Sequence, residues 1–126
     1  MTDTRLDVLC IGNAIVDVIS ATDDGFLDRE GLAKGSMRLI DAEEATRLYD
    51  HMGPAREISG GSAGNTAAGV AMLGGRAGFV GQVAEDQLGE VFAHDIQSVG
   101  VEFTTPRRSP DEASSGRVLV LVTPDA

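Results

Sequence analysis

Two glycine-rich stretches in the middle of the chain decide the fold. Residues 60–67 read GGSAGNTA, and residues 81–89 read GQVAEDQLG. Paired glycines permit tight turns and let a ligand approach the backbone closely. The first stretch therefore predicts a strand-to-helix turn whose free N–H groups can bind hydroxyl groups or anions. A plain turn with tight packing explains the same residues, because glycine-rich turns alone are weak evidence for a site.

Strands and helices alternate on both sides of these glycines. Residues 8–11 form a short apolar run typical of a strand that is buried on both faces. Alternation of this kind favours an α/β fold with a mainly parallel sheet. We expect further strands at residues 14–21, 37–40, 57–59, 77–83, 101–104 and 118–122, and helices near residues 26–32, 42–52, 66–73 and 87–99.

Two aspartates predict the starts of helices. Asp41 is followed three residues later by Glu44, which is a capping-box pattern. Asp86 precedes apolar residues at helical spacing. The members of that apolar stripe are Leu88, Val91, Phe92, Ile96 and Val99.

The composition is that of one globular domain. The chain has 126 residues, of which 42% are hydrophobic and 24% charged. Its net charge of −10 argues against nucleic acid and membrane surfaces as partners, since both are anionic. Cys10 is the single cysteine, so an internal disulfide cannot form, and no apolar signal or membrane-length segment occurs. These features predict a cytoplasmic location.

The segment GNAIVD at residues 12–17 is the second candidate site. It follows a buried strand, and open α/β sheets bind ligands at the carboxyl ends of their strands. The carboxylate of Asp17 lies in an apolar context, where it is costly unless donors reach it. A sugar diol supplies two such donors, and Asn13 can both donate and accept. An exposed strand aspartate beside a turn-forming asparagine is the alternative explanation.

Other chemistries have little support in the sequence. No G-x-G-x-x-G fingerprint occurs, which disfavours a dinucleotide-dependent oxidoreductase. A Walker A loop does not occur either. His51 and His94 lack partners at metal-ligand spacing, so no metal site is predicted. Cys10 is better explained as a core residue than as a nucleophile. The serines have no evident histidine base.

Taken together, the motifs resemble the N-terminal signature of PfkB (ribokinase) family carbohydrate kinases. Residues 60–67 lead through Gly74-Gly75 to residues 81–89 at the spacing typical of that family. Residues 12–17 resemble its opening substrate motif, and their Gly-Asn form is most similar to adenosine kinases. The resemblance extends from Leu6 to the end of the chain.

The resemblance implies a ribokinase-like, three-layer α/β/α (Rossmann-like) core with a small β-sheet lid. Residues 1–126 would then be the N-terminal part of a single kinase domain. The lid strands implied lie near residues 16–22, 37–41, 101–105 and 116–122. A homodimer formed through exposed lid edges is a further expectation.

By the same resemblance, Asp17 would hold the sugar hydroxyls, and Ile15 and Leu39 would make apolar contacts to a base or sugar. The substrate-binding residues implied are Asn13, Ile15, Asp17, Leu39, Gly60, Gly61 and Asn65. The reaction implied is ATP-dependent phosphorylation of a hydroxymethyl group on a nucleoside or sugar.

The family's catalytic residues are not found in this chain. Its Gly-Ala-Gly-Asp-like motif, which carries the catalytic base, and its Asn-x-x-Glu motif do not occur in these residues. ATP and Mg²⁺ would therefore be bound mainly by a missing C-terminal half, and this chain alone is expected to be inactive. The alternative is a non-catalytic, truncated module that binds a sugar or nucleoside.

Overall fold

The computed structural model describes residues 5–126, which form five strands and four helices. None of the helices found there is both long enough and apolar enough to cross a bilayer. In chain order the elements are β1 (Val8–Ile11), β2 (Ile15–Ala21), α1 (Asp24–Glu30), α2 (Ala42–His51), β3 (Ala55–Gly60), α3 (Ser62–Met72), β4 (Ala77–Val80), α4 (Gln87–Ser98) and β5 (Gly116–Val122).

The strands form two sheets. β1 and β4 pair in parallel, with Val8 opposite Ala77 and Ile11 opposite Val80. The other sheet has the order β3-β2-β5, so β2 lies in its centre. The parallel pair and its flanking helices confirm the predicted α/β class.

The chain divides into two compact units. Among the described residues, the first contains those from Arg5 to Asp17 together with Glu57–Val118, and the second contains Val18–Arg56 and Leu119–Ala126. Consequently β1, β4, α3 and α4 belong to the first unit, and α1 and α2 belong to the second.

An aromatic cluster forms the core of the first unit. Phe79 of β4 lies 5.5 Å from Phe92 of α4 and 5.8 Å from Phe103, measured between ring centroids. Phe92 and Phe103 meet edge to face at 5.5 Å. Phe92 is 0% exposed, and Gly64 of α3 lies against its ring, because a Cβ at Gly64 would stand 3.6 Å from Cζ. The cluster therefore fixes α3 and α4 on β4.

Aspartate caps begin three of the helices. Asp41 accepts a hydrogen bond from the Glu44 N–H at 2.8 Å, and Asp86 accepts one from the Gly89 N–H at 2.8 Å. Both predicted caps are confirmed. Asp23 caps α1 in the same way through the Phe26 N–H at 2.7 Å. Each bond satisfies an N–H group that has no partner within the helix.

The prediction of a strand at residues 37–41 is wrong. The segment between α1 and α2 has no strand, and Met37 and Leu39 are 81% and 89% exposed. The alternation of apolar residues is present, but a strand also needs a neighbour for its backbone hydrogen bonds, and none pairs with this segment in the described part of the chain.

The prediction of a lid strand at residues 101–105 is also wrong. Glu102 forms an isolated parallel bridge with Gly78 of β4, through hydrogen bonds of 2.9 Å on either side. Val101 and Phe103 are buried. The segment thus lies along β4, because its alternate residues pack into the aromatic core of the first unit.

Other elements begin or end within a few residues of their predicted boundaries. β4 ends at Val80 instead of residue 83, and α3 begins at Ser62 instead of residue 66. β2 and β5 occupy the strands expected at residues 16–22 and 116–122, within one residue. Their membership of a lid stays a prediction.

Candidate functional site

The Asp17 carboxylate lies directly against the backbone of Gly60. Asp17 is in β2 and Gly60 is the last residue of the neighbouring strand β3. A Cβ at Gly60 would stand 2.7 Å from Oδ2 of Asp17 and 3.1 Å from its Cγ. Any side chain at position 60 would displace this carboxylate, so the glycine determines where the carboxylate can lie.

Gly61 packs against the residues that precede Asp17. Its φ of 88° lies in the left-handed region, which favours glycine. A Cβ there would also stand 2.6 Å from the Asn13 carbonyl oxygen and 3.9 Å from Cβ of Ile15. The Gly60-Gly61 turn therefore crosses the segment from Asn13 to Asp17 at close range.

The alternation of β2 sets the direction of the Asp17 side chain. Val16 and Val18 are 1% and 0% exposed, so they occupy the buried face. Asp17 and Ile15 are half-buried and share the opposite face. Among residues 5–126, no hydrogen bond or ion pair engages the Asp17 carboxylate. Its oxygens can therefore accept hydrogen bonds from a ligand.

Asn65 lies in the first turn of α3, which begins at the glycine pair. Its N–H donates to the Gly61 carbonyl oxygen at 2.8 Å, and its side chain is exposed. Asn65 and Gly60 also line a cavity of about 240 Å³ with residues of α4. The described residues show no hydrogen bond between the side chains of Asn65 and Asp17, so a shared role in binding a substrate stays a prediction.

The family follows from the length of the match to known sequences. Residues 5–126 match the pfkB family of carbohydrate kinases. The chain belongs to this family. The resemblance seen in the two glycine-rich stretches is thereby confirmed.

Relatives of this pfkB-family chain include kinases of different substrates. An adenosine kinase from Sinorhizobium meliloti is 56% identical with a TM-score of 0.82, over 97% of this chain and 37% of that one. A probable sugar kinase from Rhizobium etli CFN 42 is 54% identical with a TM-score of 0.82, over the same shares of the two chains. A 5-dehydro-2-deoxygluconokinase from Lacticaseibacillus casei is 30% identical over 98 residues, which are 78% of this chain and 23% of the relative.

These similarities confirm the ribokinase-like α/β fold. The chain spans less than two fifths of the length of each of these relatives. These three relatives are named as kinases, as the resemblance implied.

The predicted site residues of the pfkB-family chain are divided between the two units. Asn13, Ile15, Asp17 and the Gly60-Gly61 turn meet within the first unit. Leu39 belongs to the second unit, in the segment between α1 and α2, and is 89% exposed. Its contact with a substrate stays a prediction.

Sequence reasoning missed a hydrogen-bonded cluster around Asp86. Besides capping α4, the Asp86 carboxylate accepts from the Ser115 N–H at 2.8 Å and from the Ser115 hydroxyl at 2.7 Å. The Ser115 oxygen in turn accepts from the Ala84 N–H at 2.9 Å. Asp86 and Ser115 are far apart in sequence, so no local pattern predicts their contact. The only indication was that each lies in a motif of the sequence, Asp86…Gly89 and Ser115-Gly116.

The electrostatics of this cluster favour the charged carboxylate. Burial raises the pKa of Asp86, but hydrogen bonds from Ser115 and Gly89 and the nearby charge of Arg108 outweigh it and hold the pKa below the ordinary value of 3.8. Asp86 is therefore an anion at neutral pH, and it needs these donors.

No group of three or more His, Cys, Asp or Glu side chains in residues 5–126 is placed to hold a metal ion. His51 instead lies 2.8 Å from Glu30, measured from Nδ1 to Oε1. Cys10 is free and buried in β1.

Proposed function

We propose that the full-length protein transfers a phosphoryl group from ATP to a hydroxymethyl group of a nucleoside or sugar, and that this chain supplies the acceptor-binding residues. The observation that carries the proposal is the Asp17 carboxylate, which lies against Gly60 and has no partner among residues 5–126. The chain's membership of a family of carbohydrate kinases supports the same conclusion.

The Asp17 carboxylate is suited to binding a pair of neighbouring hydroxyl groups. Two vicinal hydroxyls can each donate to one oxygen of Asp17, and hydrogen bonds to an ionised carboxylate are about twice as strong as neutral ones. Because Gly60 has no side chain, the Asp17 carboxylate can lie directly against its backbone. The exposed amide of Asn13 can bind a further polar group at the edge of the site.

A diol held in this way orients the rest of the acceptor. Phosphoryl transfer needs the attacking hydroxyl to lie in line with the terminal phosphate, so catalysis depends largely on positioning. Asp17 then serves binding and orientation. It is not proposed as the base that receives the proton.

We propose that ATP and Mg²⁺ are bound mainly by residues outside this chain. No group of three or more His, Cys, Asp or Glu side chains in residues 5–126 is placed to hold a metal ion, and no Gly-Ala-Gly-Asp-like motif occurs in the sequence. No step of the reaction is therefore assigned to Mg²⁺ within this chain, and the base is expected elsewhere in a longer protein.

A nucleoside is the favoured acceptor. The Gly12-Asn13 form of the first motif supports adenosine, as does 56% identity to a protein named as an adenosine kinase. Identity alone does not decide, because the probable sugar kinase is 54% identical. Only a comparison of acceptors in an assay distinguishes a nucleoside kinase from a sugar kinase.

A phosphotransfer screen of the full-length protein tests the proposal. ATP is supplied with adenosine, its 2′-deoxy and 3′-deoxy analogues, ribose and fructose, and phosphorylated product is quantified. We expect turnover of at least one acceptor with an intact diol, and kcat/KM lower by at least about tenfold when one of its hydroxyls is removed. Calorimetric binding of an acceptor without any turnover would instead favour a non-catalytic binding module.

A further inference from the structure

We propose that Asp86 and Ser115 are positioning residues for the acceptor site. They hold the start of β5 against the start of β2, and the start of β2 leads to Asp17. This inference rests on the proposed function, because it names residues that keep that function's binding segment in place.

The Asp86 carboxylate is shared between a helix and a strand. One oxygen, Oδ1, accepts from the Gly89 N–H at 2.8 Å and from the Ser115 hydroxyl at 2.7 Å. The other, Oδ2, accepts from the Ser115 N–H at 2.8 Å. A helix cap requires only one of these three bonds. The other two fix the residue that immediately precedes β5.

Ser115 has almost no freedom to move. It is 2% exposed, and its hydroxyl oxygen accepts from the N–H of Ala84, which is 0% exposed. The Arg108 guanidinium donates to the carbonyl oxygens of Ala113 and Ser114. Ser115 is therefore held through its own backbone and side chain, and the residues before it are held as well.

Gly116, the residue after Ser115, packs against the start of β2. A Cβ at Gly116 would stand 3.0 Å from the Ala14 carbonyl oxygen and 3.7 Å from Cγ1 of Ile15. The backbones of β5 and β2 thus touch where both strands begin. Because Ala14 is buried and lies between Asn13 and Ile15, a shift of Ser115 would displace the segment that carries the proposed acceptor site.

The simpler explanation is that Asp86 only caps α4. Asp23 provides the matched comparison, since it caps α1 through a single side-chain bond from the Phe26 N–H. Serine is a good cap residue, so replacing either aspartate by serine preserves the cap. At Asp86, however, serine has only one side-chain oxygen, so the replacement also removes Oδ2, which accepts from the Ser115 N–H.

The experiment compares Asp86→Ser, Ser115→Ala and Asp23→Ser in the full-length protein. We expect Asp86→Ser to raise the KM for the acceptor at least about fivefold, and Ser115→Ala about threefold, while the KM for ATP changes less than about twofold. Asp23→Ser should leave both KM values unchanged. A general loss of structure would instead lower kcat or raise both KM values.

A second readout needs no turnover. Amide NMR shifts of residues 13–17 are compared among the same variants without substrate, and they should move in Asp86→Ser and Ser115→Ala but not in Asp23→Ser. Unmoved shifts, or an acceptor KM equal to that of Asp23→Ser, would overturn the inference. Moved shifts in a protein that phosphorylates no acceptor would leave Asp86 as a positioning residue of this segment and refute the proposed function alone.

Discussion

The carboxylate of Asp17 occupies the space that a side chain at Gly60 would need. Oδ2 lies 2.7 Å from the Cβ position of Gly60, and Oδ1 lies 3.2 Å from it. Gly60 is not among the glycines with positive φ, so its backbone conformation is open to other residues. What requires glycine here is the neighbouring carboxylate, and this requirement can be tested directly.

The substitution Gly60→Ala should impair acceptor binding with little effect on folding. The added methyl group must push Asp17 aside, and a displacement of about 1 Å in a positioning group can cost up to about a hundredfold in rate. We expect the KM for the acceptor to rise at least about tenfold in steady-state assays of the full-length protein. Gly53→Ala is the control, because its Cβ would meet only Oγ of Ser20, at 3.9 Å. Equal kinetics in the two variants would argue against the site.

Removing the Asp17 carboxylate itself should lower the catalytic efficiency with the acceptor. We expect Asp17→Ala in the full-length protein to lower kcat/KM at least about tenfold, on the order of 1.4 kcal/mol, because the acceptor loses its charged partner. Asp50→Ala removes an exposed aspartate of α2 and serves as the control. An unchanged kcat/KM for Asp17→Ala would exclude a role for this residue in acceptor binding.

The elements that local sequence predicts well are those whose signals are local. Asp41 and Asp86 cap their helices as expected, since a cap depends on residues three positions apart. Residues 37–41 and 101–105 show the limit. Both have apolar alternation, yet the first has no neighbouring strand, and the second is fixed by Gly78 and by the aromatic cluster around Phe103. Strand pairing depends on distant residues, which the local pattern does not contain.

In the candidate site, too, the features that were predicted are those carried by short segments of sequence. The sequence indicated Asp17 and the glycine pair, because a carboxylate after a buried strand and a glycine-rich turn are both visible in short segments. The resemblance implied that Gly60 and Asp17 share one substrate site, but it predicted neither their direct contact nor the sharing of the Asp86 carboxylate by Ser115. These contacts join residues from different strands and loops, so they appear only when the chain is folded.

The substitution Gly89→Ala should strongly destabilise the first unit. Gly89 is buried in the first turn of α4, and a Cβ there would stand 2.0 Å from the Ala84 carbonyl oxygen, a backbone atom that cannot rotate away. We expect the free energy of unfolding to fall by about 1–3 kcal/mol or more in urea denaturation of the full-length protein. Gly69→Ala, also within a helix but with open space around it, should instead gain about 0.5–1 kcal/mol. Similar effects in both would contradict the contact.

An acidic residue in the second unit should give a pH-dependent contribution to stability. Glu30 at the end of α1 accepts from Arg47 of α2 at 2.6 Å and lies 2.8 Å from Nδ1 of His51. The hydrogen bond from Arg47, assisted by His51, holds the pKa of Glu30 below its ordinary value of 4.5. A lowered pKa in the folded state means that this contribution is complete above pH 4.5 and is lost as the pH falls through the folded-state value.

Glu30→Gln should therefore lower the thermal unfolding midpoint at pH 7, and the difference from the unsubstituted protein should shrink steadily below about pH 4.5. Glu85→Gln is the control for charge, since removing any carboxylate from a chain of net charge −10 reduces overall repulsion. Glu85 is exposed, so its replacement should leave the midpoint unchanged or slightly higher at pH 7. A pH-independent effect of Glu30→Gln would show that α1 and α2 are held together by packing alone, without a contribution from the ionised carboxylate.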